Sequence, residues 1–277
     1  MKTVLLGLLV SISVITFLVL SGRAGRGAEF PEHPLASKYQ QAAEELAKGV
    51  RQADMSALAE AIDRAVGHLP ANSYIAARLR DIKEKIAAEA DRREVLATLN
   101  SVVEDLRFRP IAEANLADGF PACTPVGEVE VKKYPVYRAA VTSENGMAFW
   151  RLFAHIKKHN VAMTAPVEMT LAENGQQPVL MAFLYERPDQ GSAGQDGVVE
   201  VRDQPEGWFV STGVRGPRTT QAVQQARERI EEWLARNGSG WEIAGPPRLM
   251  GYNSPFVARN QTYWEYQIPV REKPSAN

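Results

Sequence analysis

Asn160-Val161-Ala162-Met163-Thr164-Ala165-Pro166-Val167 lies between an amphipathic stretch and a strand-like one, at the centre of a unit that the chain uses twice. Upstream, Val129-Glu130-Val131-Lys132 leads through a turn at Pro135 into the run Val136 to Val141. Downstream, Val199-Glu200-Val201-Arg202 leads through Pro205 into the run Trp208 to Val214. Each copy continues into a helical segment and then a Pro-centred strand, Ala165-Pro166-Val167-Glu168-Met169 or Gly245-Pro246-Pro247-Arg248-Leu249. Each ends in an aromatic-rich strand, Val179 to Tyr185 or Thr262 to Ile268. Two copies are too few for a solenoid. They predict a closed, pseudo-symmetric domain with a cleft between its halves.

Local patterning fills in the elements. Tyr137, Ala139 and Val141 alternate with Arg138 and Thr142, the period of a strand. Glu144-Asn145-Gly146 opens a helix that runs to about Lys158. Residues 161–172 and 178–186 read as strands joined by a turn at Asn174-Gly175, a strong hairpin signal. Residues 187–197 read as the loop between the halves. Strands Val198–Arg202 and Trp208–Val214, a helix Thr219–Arg236, and strands Trp241–Tyr252 and Tyr263–Val270 complete the second copy. Repeated β-α-β-β units indicate an α+β fold with helices on one side of an antiparallel sheet.

Outside this region the chain changes character. It has 277 residues and a formal net charge of -1, which gives no electrostatic footprint for nucleic acid. Cys123 is its only cysteine, so an intrachain disulfide is impossible and a cysteine-based metal centre is not expected. Residues 1–22 contain the uncharged run Val4 to Leu20 behind Lys2, which reads as a transmembrane anchor, with a cleaved signal as the alternative. The expected location is therefore a membrane, held through residues 4–20 as a single-pass protein with its domain exported; after cleavage it would be secreted or periplasmic. Residues 23–35 read as a linker and residues 36–108 as an α-helical hairpin or bundle. Asp54, and either Asn72 or Ser73, are candidate caps, and Pro70 is a stop. Ile75, Leu79, Ile82 and Ile86, then Leu96, Leu99, Val103 and Leu106, form an a/d stripe. That stripe either mediates self-association or docking of a partner helix, or is the inside of a bundle packed on itself. Residues 109–126 read as a second linker, 127–271 as the repeated domain and 272–277 as a tail.

The repeated domain resembles the SOUL haem-binding protein family. Tyr134-Pro135 with Phe149 and Phe153 matches the family's opening, and Val161-Ala162-Met163-Thr164-Ala165-Pro166-Val167 its central signature. Gly251-Tyr252-Asn253-Ser254-Pro255-Phe256, with Arg259-Asn260 and the strand around Trp264-Glu265, matches its closing block. The resemblance spans about residues 127–270. It implies a distorted antiparallel β-barrel of two β-α-β-β repeats with one helix each. It also implies binding of haem or another tetrapyrrole in an apolar groove beside the first helix.

On a helical wheel, Ala148, Phe149, Leu152, Phe153 and Ile156 share one face, with Met147 at its border. This face, with Met163 and the further methionines Met169 and Met181, is the candidate porphyrin surface. Arg138, Arg151, Lys157 and Lys158 are candidate partners for propionates. His155 and His159, four apart on the helix, are the candidate axial ligands, and Tyr134 and Tyr137 are weaker ones. Lys133 stands where some family members carry a histidine, so haem held without an axial side chain is also expected. No metal beyond haem iron is expected. The leading reading is a membrane-tethered haem or porphyrin binder for buffering, trafficking or sensing. The alternative is a sensor of another ligand, or a scaffold acting through its helical region. Glu168, Glu265 and Tyr252 could line a catalytic cleft, but no nucleophile, metal or phosphate motif accompanies them, so an enzyme is not expected.

Overall fold

A computed structural model describes residues 28–52 and 54–273. The apolar run at residues 4–20 therefore lies outside the described residues. Among the described residues no helix is long and apolar enough to cross a membrane.

Four helices come first: α1 (Ala36–Gln52), α2 (Met55–His68), α3 (Tyr74–Ala87) and α4 (Arg92–Arg107). Their starts follow the sequence. Asp54 accepts a hydrogen bond from the Ala57 amide at 2.8 Å, and Ser73 from the Ala76 amide at 3.1 Å. Ile75, Leu79, Ile82, Leu99, Val103 and Leu106 are all buried in one core shared by the four helices. The stripe is thus the inside of a bundle, and its residues are not displayed for a partner helix.

The remaining strands form one antiparallel sheet in the order β1-β7-β10-β9-β3-β4-β2-β6-β5, with β8 pairing on β10. The first half supplies β1 (Val129–Tyr134), β2 (Tyr137–Ser143), α5 (Ala148–Lys158), β3 (Val167–Leu171) and β4 (Pro178–Leu184). The short β5 (Gly194–Asp196) follows. The second half supplies β6 (Val199–Gln204), β7 (Gly207–Arg215), α6 (Thr220–Asn237), β8 (Trp241–Ile243), β9 (Arg248–Gly251) and β10 (Tyr263–Glu272). The pseudo-twofold axis runs between β3 and β9, which pair directly. The halves exchange their first strands. β1 lies on β7, with Val129 opposite Thr212, and β6 lies on β2, with Val201 opposite Ala140.

Two expectations are corrected. The sheet is open and not a closed barrel. Closure would need the end strands β1 and β5 to meet, but β1 pairs with β7 alone and β5 with β6 alone. The segment Trp241–Tyr252 is two strands and not one, because Pro246 and Pro247 offer no amide to a ladder.

Alternation along the strands sorts the two faces. Ala140, Phe183 and Val201 face α5, while Trp264, Tyr266 and Ile268 share a core with α6. The opposite face carries Ala139, Val141, Ala182, Leu184 and Tyr263. Residues 109–126 cover that face. Phe120 wedges between Tyr134 and Tyr137, with ring centroids 5.0 and 5.1 Å away. Thr124 and Pro125 pass so close to β7 that a side chain on Gly213 would collide with the Thr124 carbonyl. The bundle docks through Glu128, which accepts from the Ser73 hydroxyl at 2.5 Å and the Tyr74 amide at 2.6 Å.

Candidate functional site

Helix α5 lies on its half of the sheet through Ala148, Leu152 and Ile156. All three are buried against a cluster that includes Ala140, Phe183, Val161 and Val201. Burial of Leu152 and Ile156 contributes about 1.5–3 kcal/mol each. The slot expected beside this helix is therefore filled by the protein's own side chains, and these three residues offer a ligand no surface. What remains is a shelf along the flank. Phe149 and Phe153 are half-buried and stack with centroids 6.1 Å apart at 10°. Trp150 stands edge-on to both, at 5.3 and 6.2 Å. Trp150 is 39% exposed and Met147 52% exposed. Met163 packs against the same cluster from the signature stretch. Periodicity placed Met147 only at the border of the face and left Trp150 off it, yet these two are the more open.

The signature stretch itself is structural. Asn160 has a positive φ of 52° and ends the helix, a conformation Asn tolerates. Thr164 donates to the Leu184 carbonyl at 2.7 Å, and the Ala165 amide donates to Asn115. Pro166 follows a cis peptide bond.

The expected cations are partly committed. Arg138 forms a bidentate pair with Asp203 at 2.8 and 3.0 Å and donates to the Gln190 and Gly191 carbonyls. Arg151 donates to Asn145 at 3.2 Å and is half-buried beside the shelf. Lys157 lies 5.8 Å from the Phe153 ring, while Lys158 pairs with Asp196 at 2.7 Å.

The histidines are brought together, but away from an open axial position. His155 is buried, with Nδ1 2.8 Å from Asp196 and Nε2 2.9 Å from the Tyr185 hydroxyl. Its burial, which outweighs Asp196, lowers its pKa from the ordinary imidazole value. His159 is more exposed and reaches the same Asp196 oxygen at 2.8 Å. Lys158, then His159 and His155, hold the Asp196 carboxyl well below the usual carboxylate range. Tyr134 and Tyr137 are buried on the other face of the sheet. Burial pushes both phenols up, so neither is poised as an axial phenolate.

The opposite face holds one buried polar network, in which Gln267 links Glu265 to Arg248. Glu265 is paired with Lys132 at 3.0 Å and accepts from the Thr124 amide, Tyr263 and Gln267. Glu168 accepts from Tyr137 at 2.7 Å and Arg248 at 3.0 Å. These are two of the residues considered for a catalytic cleft. With Tyr252 they lie buried in the sheet. Cys123 is buried as well, and that burial pushes its thiol up.

This chain belongs to the SOUL haem-binding protein family, whose model, described as SOUL heme-binding protein, matches residues 121–263. The match begins inside the segment that reads as a linker by composition. No curated protein matches the chain. Among solved structures, the C-terminal domain of EcmrR is 14% identical, with a TM-score of 0.41 over 52% of this chain and 98% of that one. A hydrolase from Listeria innocua is 12% identical, with a TM-score of 0.42 over 54% of this chain and 94% of that one. Likenesses this weak carry no conclusion about this chain.

Proposed function

We propose that this protein binds haem or a related tetrapyrrole on the shelf formed by Phe149, Trp150 and Phe153 with Met147 and Met163. The observation that carries the reading is the partly exposed aromatic cluster on α5, in a chain that belongs to a haem-binding family. A flat macrocycle laid on it would remove apolar area from water on both partners. Arg151 stands at the rim as a propionate partner. The iron would take no side chain from His155, which is buried and turned toward Tyr185 and Asp196 instead of toward the shelf. The bound group would supply its own redox and gas-binding chemistry, and the protein supplies shape, apolar contact and charge. The protein acts as a binder and not as a catalyst in this reading. Residues 4–20 would hold the domain at a membrane, which carbonate extraction of membranes carrying the chain tests.

Haemin titration tests the shelf. The protein should develop a Soret band, and the double variant Trp150→Glu/Phe153→Glu should bind at least about 30-fold more weakly, the equivalent of ~2 kcal/mol of lost contact. Unchanged titration by that variant would remove the shelf as the site.

A further inference from the structure

At the far end of α5 a second constellation lies apart from the shelf. His155 and His159 are one helical turn apart, so their rings share a side of the helix, with centroids 4.5 Å apart. Asp196, the last residue of β5, reaches both of them. Nδ1 of His155, Nε2 of His159 and a carboxylate oxygen of Asp196 all lie within 4.8 Å of one another. They border a cavity of about 510 Å³ lined also by Tyr185, Gln190, Ser192 and Gln195. We infer that His155, His159 and Asp196 form a binding site for a divalent first-row transition-metal ion such as Zn²⁺.

The donor set is the first argument. Two imidazoles and one carboxylate suit Zn²⁺ and its neighbours, and three protein ligands leave a position for water or an added ligand. The 2.8 Å contacts now present are hydrogen bonds, in which Asp196 can only accept. Each histidine therefore carries its proton on the nitrogen facing Asp196. A metal would take those nitrogens, and the proton of each ring would move to its other nitrogen. For His155 that nitrogen faces the Tyr185 hydroxyl at 2.9 Å, which would turn from donor to acceptor. Tyr185 is thus a positioning residue of the kind that orients metal-bound imidazoles. Ligand distances of about 2.0–2.2 Å would need the two 2.8 Å nitrogen–oxygen separations to open somewhat.

A second observation concerns the cavity. The Gln190 side-chain oxygen is buried without a hydrogen-bond partner, and Gln190 lines this cavity. Lys158 opposes the metal, because its ammonium lies 2.7 Å from the other oxygen of Asp196. Its side chain is 63% exposed and can swing into water. Lys158 weakens the site without closing it.

Calorimetric titration of the chelator-treated full chain with Zn²⁺ tests this, with the visible absorption of Co²⁺ as an independent readout. One equivalent should bind. His159→Gln and Asp196→Asn should each weaken binding by about 100-fold or more, and Tyr185→Phe by about 10-fold or more. Lys158→Ala should bind severalfold more tightly, which a purely structural cluster would not produce. Circular dichroism on each variant confirms that the fold is kept. Trp150→Glu/Phe153→Glu should keep full Zn²⁺ affinity, so failure of the haem reading leaves this inference intact. Absence of stoichiometric binding of either ion would overturn it, as would unchanged binding by His159→Gln and Asp196→Asn.

Discussion

Replacing Lys132 by Met probes the buried charge under the 109–126 segment. Lys132 and Glu265 are 3% and 0% exposed at their side chains and 3.0 Å apart. Burial alone would raise the Glu265 carboxyl, but Lys132 and the donors around it outweigh that and hold it below the ordinary value. Methionine keeps most of the volume and removes the charge. Breaking a buried pair costs about 3–5 kcal/mol. The hydrogen bonds to Glu265 from the Thr124 amide, Tyr263, Ser211 and Gln267 survive, so the lower end, about 3 kcal/mol, is expected. The pH dependence carries the sharper signature. In the unaltered protein the folded pKa lies below the unfolded one. The stabilisation is complete above the unfolded value, about 4.3, and is lost as pH falls through the folded one. In Lys132→Met burial dominates and the folded pKa rises above the unfolded one. That variant is most stable below the unfolded value and weakens as pH rises through its folded pKa. The gap between the two proteins should widen from near pH 4 to neutrality. Urea unfolding followed by tryptophan fluorescence across that range measures it. A gap below about 1 kcal/mol at neutral pH, or one independent of pH, would refute this account of the pair. Adding Glu265→Gln should remove the pH dependence and restore part of the loss.

Two further outcomes test the packed segment. Phe120→Ala should cost about 3–5 kcal/mol in the same unfolding assay, because it empties the space between Tyr134 and Tyr137; a loss under about 1 kcal/mol would mean the segment is not wedged there. Gly213→Ala should push Thr124 and Pro125 off β7, costing about 1–3 kcal/mol and making residues 109–126 susceptible to limited proteolysis, and an unaltered digestion pattern would contradict that contact.

Much of the fold could be read from local pattern. Alternation at Tyr137, Ala139 and Val141, the caps Asp54 and Ser73, and the turn at Asn174-Gly175 are signals within a few residues, and each lies where expected. What escaped depends on distant partners. Val129 to Tyr134 reads locally as a strand leading into a turn at Pro135, but its register is set by β7. Residues 109–126 contain prolines and no period, so nothing local marks Phe120 as a core residue. Pro246 and Pro247 were the local warning that one strand was two. At the site, the helical wheel found Phe149 and Phe153 but could not tell which apolar residues the sheet would cover. His155 and His159 were visible by spacing. Asp196 was not, because it sits in a Gly- and Ser-rich stretch whose course is fixed by pairing with β6.

The crossing of first strands between the halves constrains how the chain comes into being. During synthesis Val129 to Tyr134 emerges long before its neighbour on β7 exists, so the earlier half must wait with bare amides and carbonyls along that ribbon. Neither half closes its own ladder, which makes assembly late and cooperative and raises the cost of interruption. A ribosome stalled in the stretch before β6 would release a sticky fragment, not a smaller working module.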